Sequence, residues 1–326
     1  MNIFKHLVIF LRGAVFIFLL LLSPVLVAQQ IPQFTQYLDA SAYFNPAFVG
    51  LQEGIQFTAF HRTQWQGYAP STGVGVAPTT QLITLQGRFK SKNIGYGLSI
   101  VNDQLGANTQ QEVNLQGSYQ LKIRRTQLSF GGYAGVSNST LDYGELQVVN
   151  PEPNLPSSGT ETQLALDMGA GLLVDRGNFY LGLSTRHLNQ ASFDFGDGTY
   201  ANRLDLHNYL LVGYRIRPIG QLRLEPSILF KSLGSHTLSY EVSVIATVQN
   251  RVRAGVAYRG EESVSLILGY SLLKDSSLTL GYAFDLVVGG LEAKAPSSHE
   301  VLLRYNWSKT FQTVNRVIQR TPRFRF

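Results

Sequence analysis

From residue 54 to residue 307 apolar and polar side chains alternate with period two. In "TLSYEVSVIATV", 237–248, one face carries Leu238, Tyr240, Val242, Val244, Ala246 and Val248. The other carries Thr237, Ser239, Glu241, Ser243 and Thr247, with Ile245 the exception. In 251–259, Val252, Ala254, Val256 and Tyr258 oppose Arg251, Arg253, Gly255 and Arg259. In 277–285, Leu278, Leu280, Tyr282 and Phe284 oppose Ser277, Thr279, Gly281 and Asp285; in 299–307, Val301, Leu303, Tyr305 and Trp307 oppose Leu302, Arg304 and Asn306. Side chains two apart share a face of a strand, so each stretch reads as a strand with one apolar side.

The pattern predicts about fourteen strands: 54–62, 80–90, 94–102, 111–122, 126–138, 162–175, 178–187, 204–217, 221–231, 237–248, 251–259, 263–273, 277–285 and 299–307. A soluble sandwich also alternates, but its strands are commonly about five or six residues long. Strands of roughly ten residues suit a tilted crossing of a bilayer. Tyr and Trp sit near strand ends, as at Trp65, Tyr68, Tyr258, Tyr270 and Trp307, where interfacial girdles belong. The links mostly alternate in length. Those after odd strands include 63–79, 103–110, 139–161, 188–203 and 286–298; those after even strands include "SKN", "IRR", "RG", "PIG", "QN" and "KDSS". Two odd links, 232–236 and 260–262, are short exceptions. Long external loops and short periplasmic turns characterise outer-membrane barrels. The expected fold is all-β: a transmembrane antiparallel up-and-down β-barrel of about fourteen strands.

Composition agrees with this. Charged residues make up only 15%, and there are 31 Gly, 16 Tyr, 19 Phe and no Cys. The one long apolar run, "GAVFIFLLLLSPVLVA", follows Lys5, His6 and Arg12, is interrupted by Pro24 and ends at Ala28. It is shorter than the ~20 residues of a spanning helix and reads as a secretory signal peptide, residues 1–28. Its removal takes two positive charges from a formal +6. Residues 29–53 follow, rich in Gln and aromatics, with Asp39 the only charge before Glu53. Pro46 cannot donate to a ladder, so this piece is no central strand. It reads either as a segment folded inside or under the lumen or as a disordered leader. A barrel of this size has an interior that wall side chains alone do not fill. Residues 54–307 form the barrel, and 308–326 a basic periplasmic tail with five cations and no acid.

The short turns are basic, with Lys90, Lys92, Lys122, Arg124, Arg125, Arg176, Arg215, Arg217, Arg251, Arg253 and Lys274. The long links carry much of the acid: Asp103, Asp142, Glu145, Glu152, Glu161, Asp194, Asp197 and Glu292. Such a rim either binds acidic partners or anchors the barrel at lipid head groups. Lys122, Arg124, Arg125, Arg215, Arg217, Arg251 and Arg253 are its candidate partner-facing members. An exported barrel meets no nucleic acid, so the tail's charge points to a periplasmic partner or acidic lipid if it is more than a solvated end.

No nucleophile elbow, zinc-protease helix or phosphate loop occurs. Ser184 and His187, three apart on a strand, fall on opposite faces and make no acyl-transfer pair. His187 reads instead as an interface or loop-base residue. Asp194, Asp197 and Asp205 lack the spacing of a calcium loop. His299 and Glu300 open the last strand and read as caps near the membrane surface. No catalytic residue, cofactor or metal is expected.

With these residues in view, the chain resembles the PorP/SprF family of the type IX secretion system, found in Bacteroidetes outer membranes. The resemblance runs from about residue 30 to 307. It rests on "PQFTQY…FNPAFVG", at Gln33, Phe34, Gln36, Tyr37, Asn45, Pro46, Ala47 and Gly50; on Arg62, Gln64 and Trp65; on "APTTQ"; and on "GYGLSIVNDQLG", which holds Asn102 and Asp103. "GLSTRHL", "EPSILFK" and "SHEVLLRY", with His299 and Glu300, are further blocks. The insertion "APSTGVGV" and the basic tail depart from it. The resemblance implies a non-enzymatic outer-membrane component that aids secretion or surface anchoring of partner proteins such as gliding-type adhesins. It also implies contact with the periplasmic ring of PorK- and PorN-type proteins. The alternative is a FadL-like or porin-like channel for hydrophobic or small polar solutes. An N-terminal Asn-Pro-Ala element also resembles the hatch of FadL-type barrels.

Overall fold

The computed structural model describes residues 32–307 except 53, 68–76, 90–92, 147–157, 196–199, 235–236, 274 and 289–296. The expected signal peptide and basic tail, and Tyr68, Lys90, Lys92, Glu152, Asp197, Lys274 and Glu292, lie outside the described residues.

Fourteen strands close into one antiparallel barrel. In chain order they are β1 (Ile55–Thr63), β2 (Thr79–Phe89), β3 (Ile94–Leu105), β4 (Asn108–Ile123), β5 (Thr126–Asp142), β6 (Thr160–Arg176), β7 (Phe179–Arg186), β10 (His207–Tyr214), β11 (Leu222–Leu233), β12 (Thr237–Val248), β13 (Val252–Arg259), β14 (Ser263–Leu272), β15 (Leu278–Val287) and β16 (Ser297–Trp307). Each pairs with its chain neighbour, and β1 closes on β16 in the register Ile55↔Trp307 to Thr63↔His299. A separate hairpin, β8 (Ser192–Phe195) and β9 (Tyr200–Arg203), lies in the link between β7 and β10.

Alternation decides which side chains meet lipid. On β12 and β13, Leu238, Val242, Val244, Val252, Val256 and Tyr258 are exposed, while Glu241, Ser243, Ile245, Thr247 and Arg259 are buried. The exposed apolar set recurs around the wall, from Ile83 and Leu85 through Leu164, Leu166 and Leu266 to Val301 and Trp307. A water-soluble protein does not present so continuous an apolar belt. A bilayer requires it, and closure leaves no unpaired strand edge inside hydrocarbon. Of the expected girdle, Tyr258, Tyr270 and Trp307 are exposed.

The strands outrun the hydropathy signal at one end. The expected link 103–110 is a two-residue turn at Gly106 and Ala107, since β3 runs to Leu105 and β4 begins at Asn108. Gly106 takes the left-handed φ of +56° that such a turn favours. Above the membrane both faces of a ladder can be polar, so pairing persists where the apolar alternation stops. The same happens at 139–161, which shrinks as β5 and β6 pair up to Asp142 and Thr160. The hairpin β8–β9 occupies the expected irregular loop, with Phe193, Phe195 and Leu204 packed over Leu141 and Ala165.

Replacement of Val256, midway along β13, by Arg places a charge against acyl chains. It is expected to destabilise the barrel by roughly 2–4 kcal/mol, read as a lower urea midpoint for folding into vesicles. The lumen-facing neighbour Ala257→Ser serves as the control.

Candidate functional site

Residues 32–52 cross the interior of the barrel. They comprise an extended start, a single helical turn α1 (Ser41–Phe44) and a 3-10 turn, Pro46–Phe48. Asn45 caps the second turn: its Oδ1 accepts from the Ala47 N–H at 2.9 Å. Pro46 fills the first helical position, where no N–H is required. The Asn45 amide also donates to the carbonyls of Leu172 and Leu183 in the wall. This is the physical reason for an Asn-Pro-Ala sequence: one side chain both starts the turn and fastens it to β6 and β7.

Backbone groups of the segment find partners on lumen-facing side chains, as buried polar groups must. Ser118 donates to Val49 O, Ser129 to Ala47 O and Ser184 to Phe44 O, each within 2.8 Å. Gln116 serves Ala42 O, and Gln120 serves Val49 O and Gly50 O. Two glycines permit the approach. A Cβ on Gly171 would stand 2.0 Å from Asn45 Oδ1. Gly50 has φ +69°, and a Cβ there would stand 2.6 Å from the Gly87 carbonyl oxygen. Phe34 packs against Tyr43, Phe44 and Phe60 with ring centroids 5.2–6.1 Å apart.

Thr35 sits in a buried ionic hub. Arg62 pairs with Asp285 at 2.7 Å and with Glu300 at 3.3 Å. Arg259 pairs with Glu241 at 3.1 Å and lies 3.9 Å from Asp285. The Thr35 hydroxyl donates to Asp285 at 2.8 Å and accepts from Arg62 at 2.9 Å. The N–H groups of Thr35 and Gln36 donate to the two Glu300 oxygens at 2.8 and 3.0 Å. The Tyr37 hydroxyl shares hydrogen bonds with Ser227 and Ser243, and burial pushes its ionisation up, so it stays neutral. Across the lumen, Arg186 binds Glu112 at 2.5 Å and Tyr43 O at 2.7 Å, with its guanidinium 4.2 Å over the Tyr43 ring. His187 pairs with Asp167 at 2.9 Å, and the Tyr133 hydroxyl donates to the same carboxylate.

At the short-turn end, Asp39 accepts from Arg253 at 2.9 Å and also pairs with Arg304. Burial alone would raise the Asp39 carboxyl. The Arg253 and Arg304 guanidiniums outweigh it and hold the group below its ordinary value.

The segment motif residues Gln33, Phe34, Gln36, Tyr37, Asn45, Pro46, Ala47 and Gly50 therefore converge in one place, with Arg62 and Glu300. Glu300 is not a surface cap: alternation turns it inward, while His299 faces out and meets the Tyr282 hydroxyl. Gln64 is buried just past β1, and the Trp65 N–H donates to Ser298. Asp103 accepts from Thr80 at 2.5 Å. Asn102 faces outward in an amide ladder with Gln81 and Gln111. Lys122, Arg124, Arg125, Arg217 and Arg251 are exposed at the short-turn end. Arg253 is not part of that free rim, because it turns inward to Asp39, and Arg215 is engaged by Asp175. His187 lies at a loop base, one residue beyond β7, and is buried. Asp39 stood out only as the one charge of its stretch before Glu53, and Thr35, Asp285, Arg259, Arg186 and Glu112 carry the interior without having been singled out as site residues. The only trace was charge on the polar face of otherwise apolar strands.

A family model described as type IX secretion system membrane protein PorP/SprF matches residues 26–305. No curated protein matches the chain. Among solved structures it is similar to a Pseudomonas aeruginosa FadL homologue, with 13% identity over 82% of this chain and 94% of that one, TM-score 0.48. It is also similar to the Acinetobacter baumannii outer membrane protein Omp33 (8%, 79% and 100%, TM-score 0.45) and to the Pseudomonas putida toluene transporter TodX (11%, 82% and 92%, TM-score 0.44).

Substitution of Arg62 by Gln leaves Asp285 and Glu300 facing each other in a buried hub. It is expected to cost about 3–5 kcal/mol, seen as a lower thermal transition in detergent. For Asp39 the ionised form is the bound form, so its stabilisation is full above the ordinary carboxyl value of 3.8 and is lost as pH falls through the lowered value. Limited proteolysis of residues 32–52 should therefore stay flat from pH 8 to about pH 5, whereas Asp39→Asn should raise cleavage already at pH 7.

Proposed function

The chain belongs to the PorP/SprF family of type IX secretion system membrane proteins, and from that premise we propose that it works by binding. It is an outer-membrane β-barrel of that system. Its external loops engage a secreted or surface-anchored partner, such as a gliding-type adhesin. Its exposed basic turns, at Lys122, Arg124, Arg125, Arg217 and Arg251, engage acidic faces of the periplasmic ring proteins of PorK and PorN type, in a Bacteroidetes-type cell. The role is non-enzymatic, and residues 29–53 act as a plug.

The observation that supports this reading is the occupied lumen. Residues 32–52 fill the interior with hydrogen bonds and ion pairs between groups that are almost wholly buried. A porin-like or FadL-like channel needs a path where Phe34, Tyr37 and Tyr43 now stand. The working surfaces left to the protein are its two rims.

Two measurements separate the readings. A deletion strain should lose one or a few type IX cargo proteins from its surface proteome, while solute uptake is unchanged. In planar bilayers the full chain should conduct little, and removal of 29–53 should raise conductance severalfold. An unchanged surface proteome combined with a large basal conductance would instead establish the channel.

A further inference from the structure

Beneath the segment, at the short-turn end of the lumen, lies a cavity of about 350 Å³. Asp39, Arg223, Arg253 and Arg304 line it, with Arg215 and Glu225 toward its rim. Gln127 and Asp175, beside the turns that end β4 and β6, place it at the mouth facing the periplasm. The cations are unevenly served. Arg215 has Asp175 at 2.9 Å and Glu225 at 3.7 Å. Arg253 and Arg304 share the single carboxylate of Asp39. Arg223, inward-facing on β11 beside Thr247 of β12, has no carboxylate within ion-pair distance among the described residues, and its Nε is buried without an acceptor. The lining thus holds four guanidiniums against the three carboxylates of Asp39, Asp175 and Glu225, and the positive charge left over falls on Arg223, which none of these carboxylates reaches within ion-pair distance. Gathering like charges away from water is unfavourable unless an anion joins them.

The geometry points to a binding site for a carboxylate-bearing ligand that enters from the periplasmic mouth and pairs with Arg223. Carboxylate is the chemistry because the cavity already holds one: Asp39 is an internal example of the ligand, gripped by Arg253 and Arg304. Planar guanidiniums match a carboxylate through paired N–H donors. The ligand competes with Asp39 for the same arginines. Occupancy therefore loosens the short-turn end of the segment, while the hub at Thr35 and Glu300, near the other rim, still holds the opposite end. The site is independent of whether external loops bind cargo.

The test is calorimetry on the full processed chain in detergent at low salt, with two probes: succinate, and a tetrapeptide of alternating Asp and Glu. Saturable binding of either is expected, with the tighter probe identifying a free small acid or an acidic peptide end as the source. Arg223→Gln should weaken it about tenfold or more, a loss of ~1.4 kcal/mol. Asp39→Asn should tighten it, because Arg253 and Arg304 are released. Arg217→Gln, on an exposed turn, should leave it unchanged. If the Gln variant does not assemble, Arg223→Lys keeps the charge but loses the planar fork and should still weaken binding. No saturable heat with either probe, or equal affinity in the Arg223 variant and the unmodified chain, would overturn the assignment.

Discussion

The interior depends on a charge left with two partners. Arg62 of β1 lies directly across the closing seam from Glu300 of β16, and Asp285 of β15 reaches the same guanidinium. Arg62, with Arg259 3.9 Å from Asp285, leaves some of the four carboxylate oxygens short of donors. The missing donors come from the segment: the Thr35 hydroxyl to Asp285, and the Thr35 and Gln36 N–H groups to Glu300. Barrel closure and segment placement are thus one problem. The carboxylates at the seam receive these donors only with the segment present, and the N–H groups of Thr35 and Gln36 find their acceptor only at the seam.

That constraint explains the composition of the lumen. Inward positions that meet the segment's carbonyls are mostly Ser and Gln, whose short polar side chains reach them at hydrogen-bond distance. Bulk comes from both sides, with Phe34, Tyr37, Tyr43 and Phe44 of the segment packed against Phe60, Tyr180 and Tyr209 of the wall. Filling the barrel with a segment of the same chain supplies the volume that the wall side chains alone do not. It also keeps the filling detachable in principle, since no strand hydrogen bond of the wall depends on it.

The wall was legible in the sequence because lipid on one side and polar matter on the other enforce the period of two. Strand ends were less so. Between Asn102 and Gln111 pairing continues above the membrane, where nothing requires an apolar face, and the ladder goes on without a hydropathy signature. The 29–53 stretch announced itself by aromatics with almost no charge, but its partners did not. Thr35 meets residues 62, 259, 285 and 300, brought together only by the register of the closed sheet. Glu300 read as a strand cap because position at a strand start says nothing about which face the closed wall turns inward.

Thr35 and Asp39, four residues apart in the segment, are held by opposite electrostatics. Near the long loops, Arg62, Arg259 and Lys231 face Asp285, Glu300, Glu241 and Glu262, an excess of acid. There the segment presents N–H groups and a hydroxyl. Near the short turns, Arg223, Arg253 and Arg304 are in excess, and there it presents the Asp39 carboxylate. A segment threaded the other way would set a carboxylate among carboxylates and leave Arg253 and Arg304 without the one they share. The polarity of the lumen therefore specifies the direction of threading. It also makes the two attachments separable: an anion arriving from the periplasm competes only at Asp39, and a change at the long-loop rim acts only on Thr35 and Gln36.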